Sequence, residues 1–192
     1  MSIFDIFTEM SAHMLEGIMF HESLMKAYLF LNLPGYAACH EYHYLSETAG
    51  HIRLNKYVSD HLNSLIMPIP DSSKQVIPPS WKGSNRSDIS SQVRETAIRS
   101  AFHEWLTWEE DTVKLYERLY REAVDIDEIP ASEFIKQYIL DAEDEIVYAR
   151  NDLLSKEAIG FDIVSIFEEQ KSLEGKFRKR IRKIGDEINE DE

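Results

Sequence analysis

The sequence predicts an all-α fold: a four-helix bundle with a long connection between its second and third helices, followed by an additional C-terminal helix. Three observations carry this. Apolar residues recur at three- and four-residue spacing along most of the chain, and no segment sustains strand alternation. Pro68, Pro70, Pro78 and Pro79 interrupt the middle and exclude a regular helix there. Four of the helical segments also place a carboxylate on an apolar face. Glu22 lies among Leu15, Ile18, Met25 and Leu29. Glu47 and His51 lie between Tyr44 and Leu54. Glu104 lies among Ala97, Ala101, Trp108 and Leu115, and Glu145 among Tyr138, Ala142 and Ala149.

The first helix is expected over 10–32, with Phe4 and Phe7 in an earlier turn. Pro34-Gly35 then breaks the chain, and proline suits the first turn of a second helix running to about residue 65. The Pro- and Ser-rich stretch from Met67 to Ser91 is long for a connection inside a compact domain. A crossover joining two helices that run the same way accounts for it. The third helix is expected over 91–123. Asp125 to Pro130 forms a break, Ser132 caps a fourth helix, and that helix ends near Lys156, before Gly160. A fifth helix over 162–184 carries Phe167, Leu173, Phe177, Ile181 and Ile184. Its cluster Lys176-Phe177-Arg178-Lys179-Arg180 reads as a solvated face balancing the acidic tail from Asp186, with a partner-contact surface as the alternative. Residues 1–160 are assigned to the bundle and 161–192 to the amphipathic helix and tail.

Composition narrows the function classes. The chain has 192 residues, 21 basic and 35 acidic, for a net charge of −14. That excess opposes a nucleic-acid backbone or an anionic membrane as principal partner and suits cations. Cys39 is the only cysteine, which excludes a disulfide framework, a thiolate cluster and a Cys-x-x-Cys pair. The start lacks the basic and apolar regions of a signal peptide, and charges interrupt every apolar run short of a membrane span. A cytoplasmic protein is expected.

A buried carboxylate without a partner costs several kcal/mol or neutralises itself. Four on four helices, with a histidine among them, point to a shared cation. Hard metals take carboxylate oxygens, and imidazole suits iron, manganese and zinc. The candidate ligands are Glu22, Glu47, His51, Glu104, Asp141 and Glu145. Glu47 and His51 are four apart, as are Asp141 and Glu145, so each pair shares a helix face. Tyr28, Tyr44 and Tyr138 read as core residues whose hydroxyls meet these acids.

Several short motifs resemble the ferritin-like superfamily, specifically ferritins and bacterioferritins, over about residues 15–155. The run His40-Glu41-Tyr42-His43-Tyr44-Leu45-Ser46-Glu47-Thr48-Ala49-Gly50-His51 resembles the second bacterioferritin helix. Ile77-Pro78-Pro79-Ser80-Trp81 is similar to the end of the ferritin crossover. Ala101-Phe102-His103-Glu104 and the acidic run Tyr138 to Glu145 resemble the third- and fourth-helix motifs. The resemblance implies a homo-oligomer with a carboxylate-bridged centre of two ions per chain, iron or alternatively manganese, and oxidation of Fe(II). The chain departs from that pattern at Thr48, where the family has glutamate, and at Ala142 and Ile146 on the fourth helix. On the first helix, aligning Tyr28 to the family tyrosine would select His21 in place of Glu22. A non-catalytic bundle with a degenerate site, serving as a structural or partner-binding protein, is the competing expectation. A di-metal oxidase acting on an organic substrate is a third.

Overall fold

The computed structural model describes residues 1–71, 73 and 89–190, with only the backbone described for 186–190. The described residues contain five helices: α1 (Ile3–Phe30), α2 (Pro34–Leu62), α3 (Ser91–Asp125), α4 (Ile129–Ala158) and α5 (Ile163–Glu190). The motif Ile77–Trp81 of the expected crossover lies outside them. None of the described helices is long and apolar enough to cross a membrane.

α1 begins a full two turns before the expected start. Ser2 and Asp5 form a reciprocal capping box, Asp5 N–H donating to Ser2 Oγ and Ser2 N–H to Asp5 Oδ2. Ile3, Ile6 and Phe7 then extend the buried stripe without a break. α4 also starts early, at Ile129. Pro130 occupies its first turn, so Ser132 lies inside the helix and its hydroxyl bonds the Ile129 carbonyl instead of capping.

Schellman turns end α1, α3 and α4, with Asn32, Asp127 and Gly160 at φ near +62°. In the first, Asn32 N–H reaches the Leu29 carbonyl and Leu33 N–H the Tyr28 carbonyl; the other two repeat this pattern.

Side-chain pairings fix the topology. Ser11 meets His51 while His21 meets His40, so α1 and α2 are antiparallel. His13 meets Thr112 while Glu9 meets Arg118, so α1 and α3 are antiparallel. α2 and α3 therefore run the same way, which demands a connection returning the length of the bundle, about 43 Å for a helix of this size. Its described beginning does turn back along α1, where Asp71 N–H donates to Glu16 Oε1 at 2.9 Å. α4 is antiparallel to α2, with Tyr138 on Gly50 and His43 near Glu145.

α5 runs parallel to α2 and packs along it. Gly35 N–H donates to Gln170 Oε1, Tyr36 to Glu169, and Arg178 pairs with Glu41. Phe177 is fully buried against Tyr42 and Tyr148. The basic cluster around it is therefore a docking face as much as a solvated one, with Arg180 over the Tyr42 ring and Lys176 over Tyr148. Lys156 lies buried between Asp152 (3.0 Å) and Glu169 (2.7 Å) and ties α4 to α5.

Two apolar clusters fill the ends of the bundle. One joins Phe20, Leu24, Leu33, Ile98, Trp105, Leu153 and, from α5, Ile166 and Phe177. The other joins Ile6, Met10, Met14, Leu54, Leu119 and Ile135. Between them, at mid-height, lies a polar layer.

Candidate metal centre

The polar layer surrounds a cavity of about 260 Å³, ample for several waters or ions. Each bundle helix supplies part of its wall. α1 gives His21, α2 gives His43 and Glu47, α3 gives Glu109, and α4 gives Glu145 with Asp141 and Asp144 at the rim. Gly17 makes room for Glu47: a Cβ there would come within 3.3 Å of both Glu47 Cδ and Trp108 Cζ2. Gly50 does the same for Tyr138, whose hydroxyl donates to the Gly50 carbonyl.

Burial sets the protonation of these groups. It pushes Glu47 up to about 8, and the neighbouring Glu109 and Glu145 carboxylates add to the rise. Glu109 is pushed up to about 7 by burial, opposed by Trp105, whose indole N–H donates to Glu109 Oε1 at 2.9 Å. Glu145 is raised by burial and drawn back partly by His43, 3.3 Å away. Desolvation lowers His21 to about 3 and His43 to about 4. His21 Nε2 lies 3.6 Å from Glu109 Oε1; His21 is neutral at neutral pH, so the contact is not an ion pair. Behind it, His21 Nδ1 shares a hydrogen bond with His40 Nδ1, one ring donating and the other accepting. The buried His43 Nε2 has no hydrogen-bond partner among the described residues.

Carboxyls and neutral imidazoles are the donors iron, manganese and zinc accept. As placed, however, no three carboxylate, imidazole or thiol groups among the described residues are gathered closely enough to hold an ion. Side chains would have to turn inward to do so.

Of the residues the sequence singled out, Glu47, Asp141 and Glu145 line the cavity. Glu22 does not. It is half-exposed and pairs with Lys26 at 2.7 Å. The buried stripe of α1 runs through Met10, Met14, Gly17, His21, Leu24 and Tyr28, one residue and so about 100° from the stripe containing Leu15, Ile18 and Leu29. That register puts His21 at the cavity. His51 lies outside the cavity, bonded to Ser11 Oγ at 2.8 Å, because the inward stripe of α2 is His43, Glu47, Gly50 and Leu54. Glu104 is also outside. It accepts from Ser100 at 2.7 Å, and its other oxygen is buried with no hydrogen-bond partner among the described residues. His103 is exposed near Glu157. Two of the three expected tyrosines do not meet the acids: Tyr138 bonds a carbonyl, and the buried Tyr28 hydroxyl has no hydrogen-bond partner among the described residues.

Glu109 and His43 were not among the expected ligands. The signal for Glu109 was its spacing, four after Trp105 and seven before Tyr116, all three buried on one stripe.

Solved structures with the same arrangement include archaeal ferritins. An open-pore ferritin from Archaeoglobus fulgidus superposes with a TM-score of 0.73 over 90% of this chain and 94% of its own, at 14% identity. An engineered closed form of the A. fulgidus protein gives 0.73 over 91% and 96%, at 15% identity. A humanized archaeal ferritin gives 0.72 over 91% and 97%, also at 15%. The fold is that of a ferritin. No protein-family model and no curated protein sequence matches the chain. Of the three positions that depart from the resemblance, Ala142 lines the cavity, and Thr48 and Ile146 are outside its lining. Thr48 bonds the Tyr44 carbonyl, and Ala142 packs in the apolar cluster of Met14 and Leu54.

Proposed function

We propose that this ferritin-fold chain binds a pair of hard cations, iron or alternatively manganese, in the mid-bundle cavity, with Fe(II) as a substrate for oxidation by dioxygen or peroxide. The observation that carries this is the gathering of Glu47, Glu109 and Glu145, from three helices, around one cavity with neutral His21 and His43. Three acids close together cannot all ionise in a buried layer without a counter-charge. Two divalent ions supply it, and the proton on Glu47 or Glu109 leaves as the ion enters. In the oxidation, two Fe(II) ions each give up one electron, and dioxygen takes both with two protons to become hydrogen peroxide. Glu47, Glu109 and Glu145 would bind the ions; His21 and His43 would complete the set, with Asp141 at the entrance. Of the remaining sequence candidates, Glu22, His51 and Glu104 would hold a metal only after a shift in helix register or rotamer.

A second reading is a non-catalytic bundle. It is favoured by the lack of three converging donors among the described residues, and by the ability of the raised Glu47 and Glu109 to sit in the layer as neutral acids.

Metal analysis of protein purified without chelator, followed by aerobic Fe(II) titration in the near ultraviolet, separates the two. The metal reading expects about two ions per chain and their loss in a Glu47→Ala, Glu109→Ala double variant. Trace metal only, with a melting temperature indifferent to iron, would establish the bundle reading.

A further inference from the structure

The acids of the mid-bundle cavity lie at two depths. Glu109 is deep, 3% exposed; its Oε1 takes the Trp105 indole N–H, and its Oε2 has no hydrogen-bond partner among the described residues. Glu47 also lines the cavity and makes no hydrogen bond among the described residues. Asp141 and Asp144 stand exposed at the rim, with Glu145 partly buried beside them.

A bare metal ion needs several oxygens about one point, at about 2.0–2.6 Å. No three donors among the described residues are gathered in that way. Acids spread along a cavity suit a ligand whose positive charges are spread as well. An ammonium carries three N–H donors and meets its acceptors at ordinary hydrogen-bond distance, about 2.7–3.2 Å.

The rest of the lining favours an organic cation. Tyr42, Tyr116 and Tyr138 are part of it, and ring faces attract such cations while sheltering their alkyl stems. Two of these rings already carry a cation of the chain itself. The Arg53 guanidinium lies 5.7 Å from the Tyr138 centroid, and that of Arg180 lies 5.4 Å from the Tyr42 centroid. At about 260 Å³ the cavity is close to the small end of ligand pockets, roughly 300 Å³, and so fits a short chain of heavy atoms. The net charge of −14 draws cations toward the molecule.

We propose that the cavity is a binding site for a short aliphatic diamine, one ammonium against Glu47 and Glu109 and the other against Asp141, Asp144 and Glu145. Two charges joined by an apolar chain match two groups of acids with rings in the wall. A monoamine satisfies only one group, and magnesium neither spans the acids nor packs on the rings. This reading goes beyond the metal reading.

Calorimetric titration and thermal melting of the full chain, freed of metal by chelator and dialysis, test it with diaminopentane as probe. One diaminopentane should bind per chain and raise the melting temperature. Aminopentane should bind about tenfold more weakly or worse. Glu109→Gln, which keeps the side-chain shape, should weaken diaminopentane by about tenfold. Stabilisation by Mn(II) or Fe(II) but not by diaminopentane overturns the proposal and leaves the metal reading intact. Saturable diaminopentane binding without a response to either metal supports it and counts against the metal reading. Equal affinities for diaminopentane, aminopentane and magnesium, or an unaltered affinity in the folded Glu109→Gln variant, would mark general attraction to an acidic surface and overturn it.

Discussion

The Glu47 carboxyl lies directly over Gly17, close enough that a single methyl group at residue 17 would sit 3.3 Å from Glu47 Cδ. Glu47 reaches the cavity only because α1 presents bare backbone there, flanked by Trp108. Gly17→Ala should therefore separate fold from site. Alanine favours a helix interior by about 1 kcal/mol over glycine, so the bundle survives. The new Cβ pushes Glu47 or the indole by a few tenths of an ångström, and with three carboxyls sharing the layer such a shift weakens cation binding. The expected result is a melting temperature without metal that is equal or slightly higher, and a loss of iron-induced stabilisation. Equal iron stabilisation in both proteins would count against Glu47 as a ligand.

Burial of acids and imidazoles in one layer predicts an unusual pH profile. Glu47 and Glu109 have folded values near 8 and 7, against 4.5 unfolded. Between those values the folded state holds more protons, so stability falls as pH rises. His21 and His43, lowered to about 3 and 4 from 6.5, act oppositely, adding stability as pH rises to 6.5. The two effects offset each other between about 4.5 and 6.5. Above 6.5 the histidines are neutral in both states and only the acids remain. Metal-free protein should then lose on the order of 1–2 kcal/mol between pH 6.5 and 8. Glu47→Gln should flatten that slope in thermal melts.

How far the sequence could be read depended on how distinct each helix face is. Pro34, Pro130 and Gly160 marked the breaks correctly because proline and positive-φ glycine act locally. The choice of stripe did not follow so simply. α1 is apolar almost all round, so Leu15, Ile18 and Met25 compete with Met14, Gly17 and Leu24 for the core. The glycine that decides the matter has no side chain to register as apolar. On α3, Glu104 is four before Trp108 and Glu109 is four after Trp105, which makes the two acids equivalent by periodicity. Only packing against His21 and His13 selects Glu109 and turns Glu104 toward Ser100. The fifth helix was read in part. Lys176, Lys179 and Arg180 are exposed as expected, but Lys176 and Arg180 also lie over Tyr148 and Tyr42 and Arg178 pairs with Glu41, around the buried Phe177.

Trp105 offers a test of the acid beside it. Its indole N–H donates the hydrogen bond that opposes the rise of Glu109. Trp105→Phe keeps an aromatic ring in the core and removes that donor. Glu109 should hold its proton more strongly, and iron binding near pH 7 should weaken about tenfold, recovering as pH rises. Loss of binding at every pH would instead indicate a packing defect.

Docking of α5 rests on two features of very different character. At Gly35 the α5 backbone comes so close that any Cβ would fall 2.0 Å from the Gln170 carbonyl oxygen. Backbone cannot rotate aside as a flexible side chain can, so Gly35→Ala must move one helix off the other. Lys156, by contrast, holds α5 through charge. Its ammonium is buried between Asp152 and Glu169, and it lies near the rings of Tyr36 and Phe102. Removing one partner of a buried pair typically costs about 3 kcal/mol, whereas an apolar side chain of similar volume can be nearly neutral. Lys156→Ala should therefore destabilise the protein by roughly that amount, and Lys156→Met by much less. The two lesions differ in what they release. Gly35→Ala should raise hydrogen exchange in α5 and the start of α2 while the far cluster around Met10, Leu54 and Ile135 stays protected. If exchange rises equally throughout, α5 is a full member of the cooperative bundle and not a helix laid upon it.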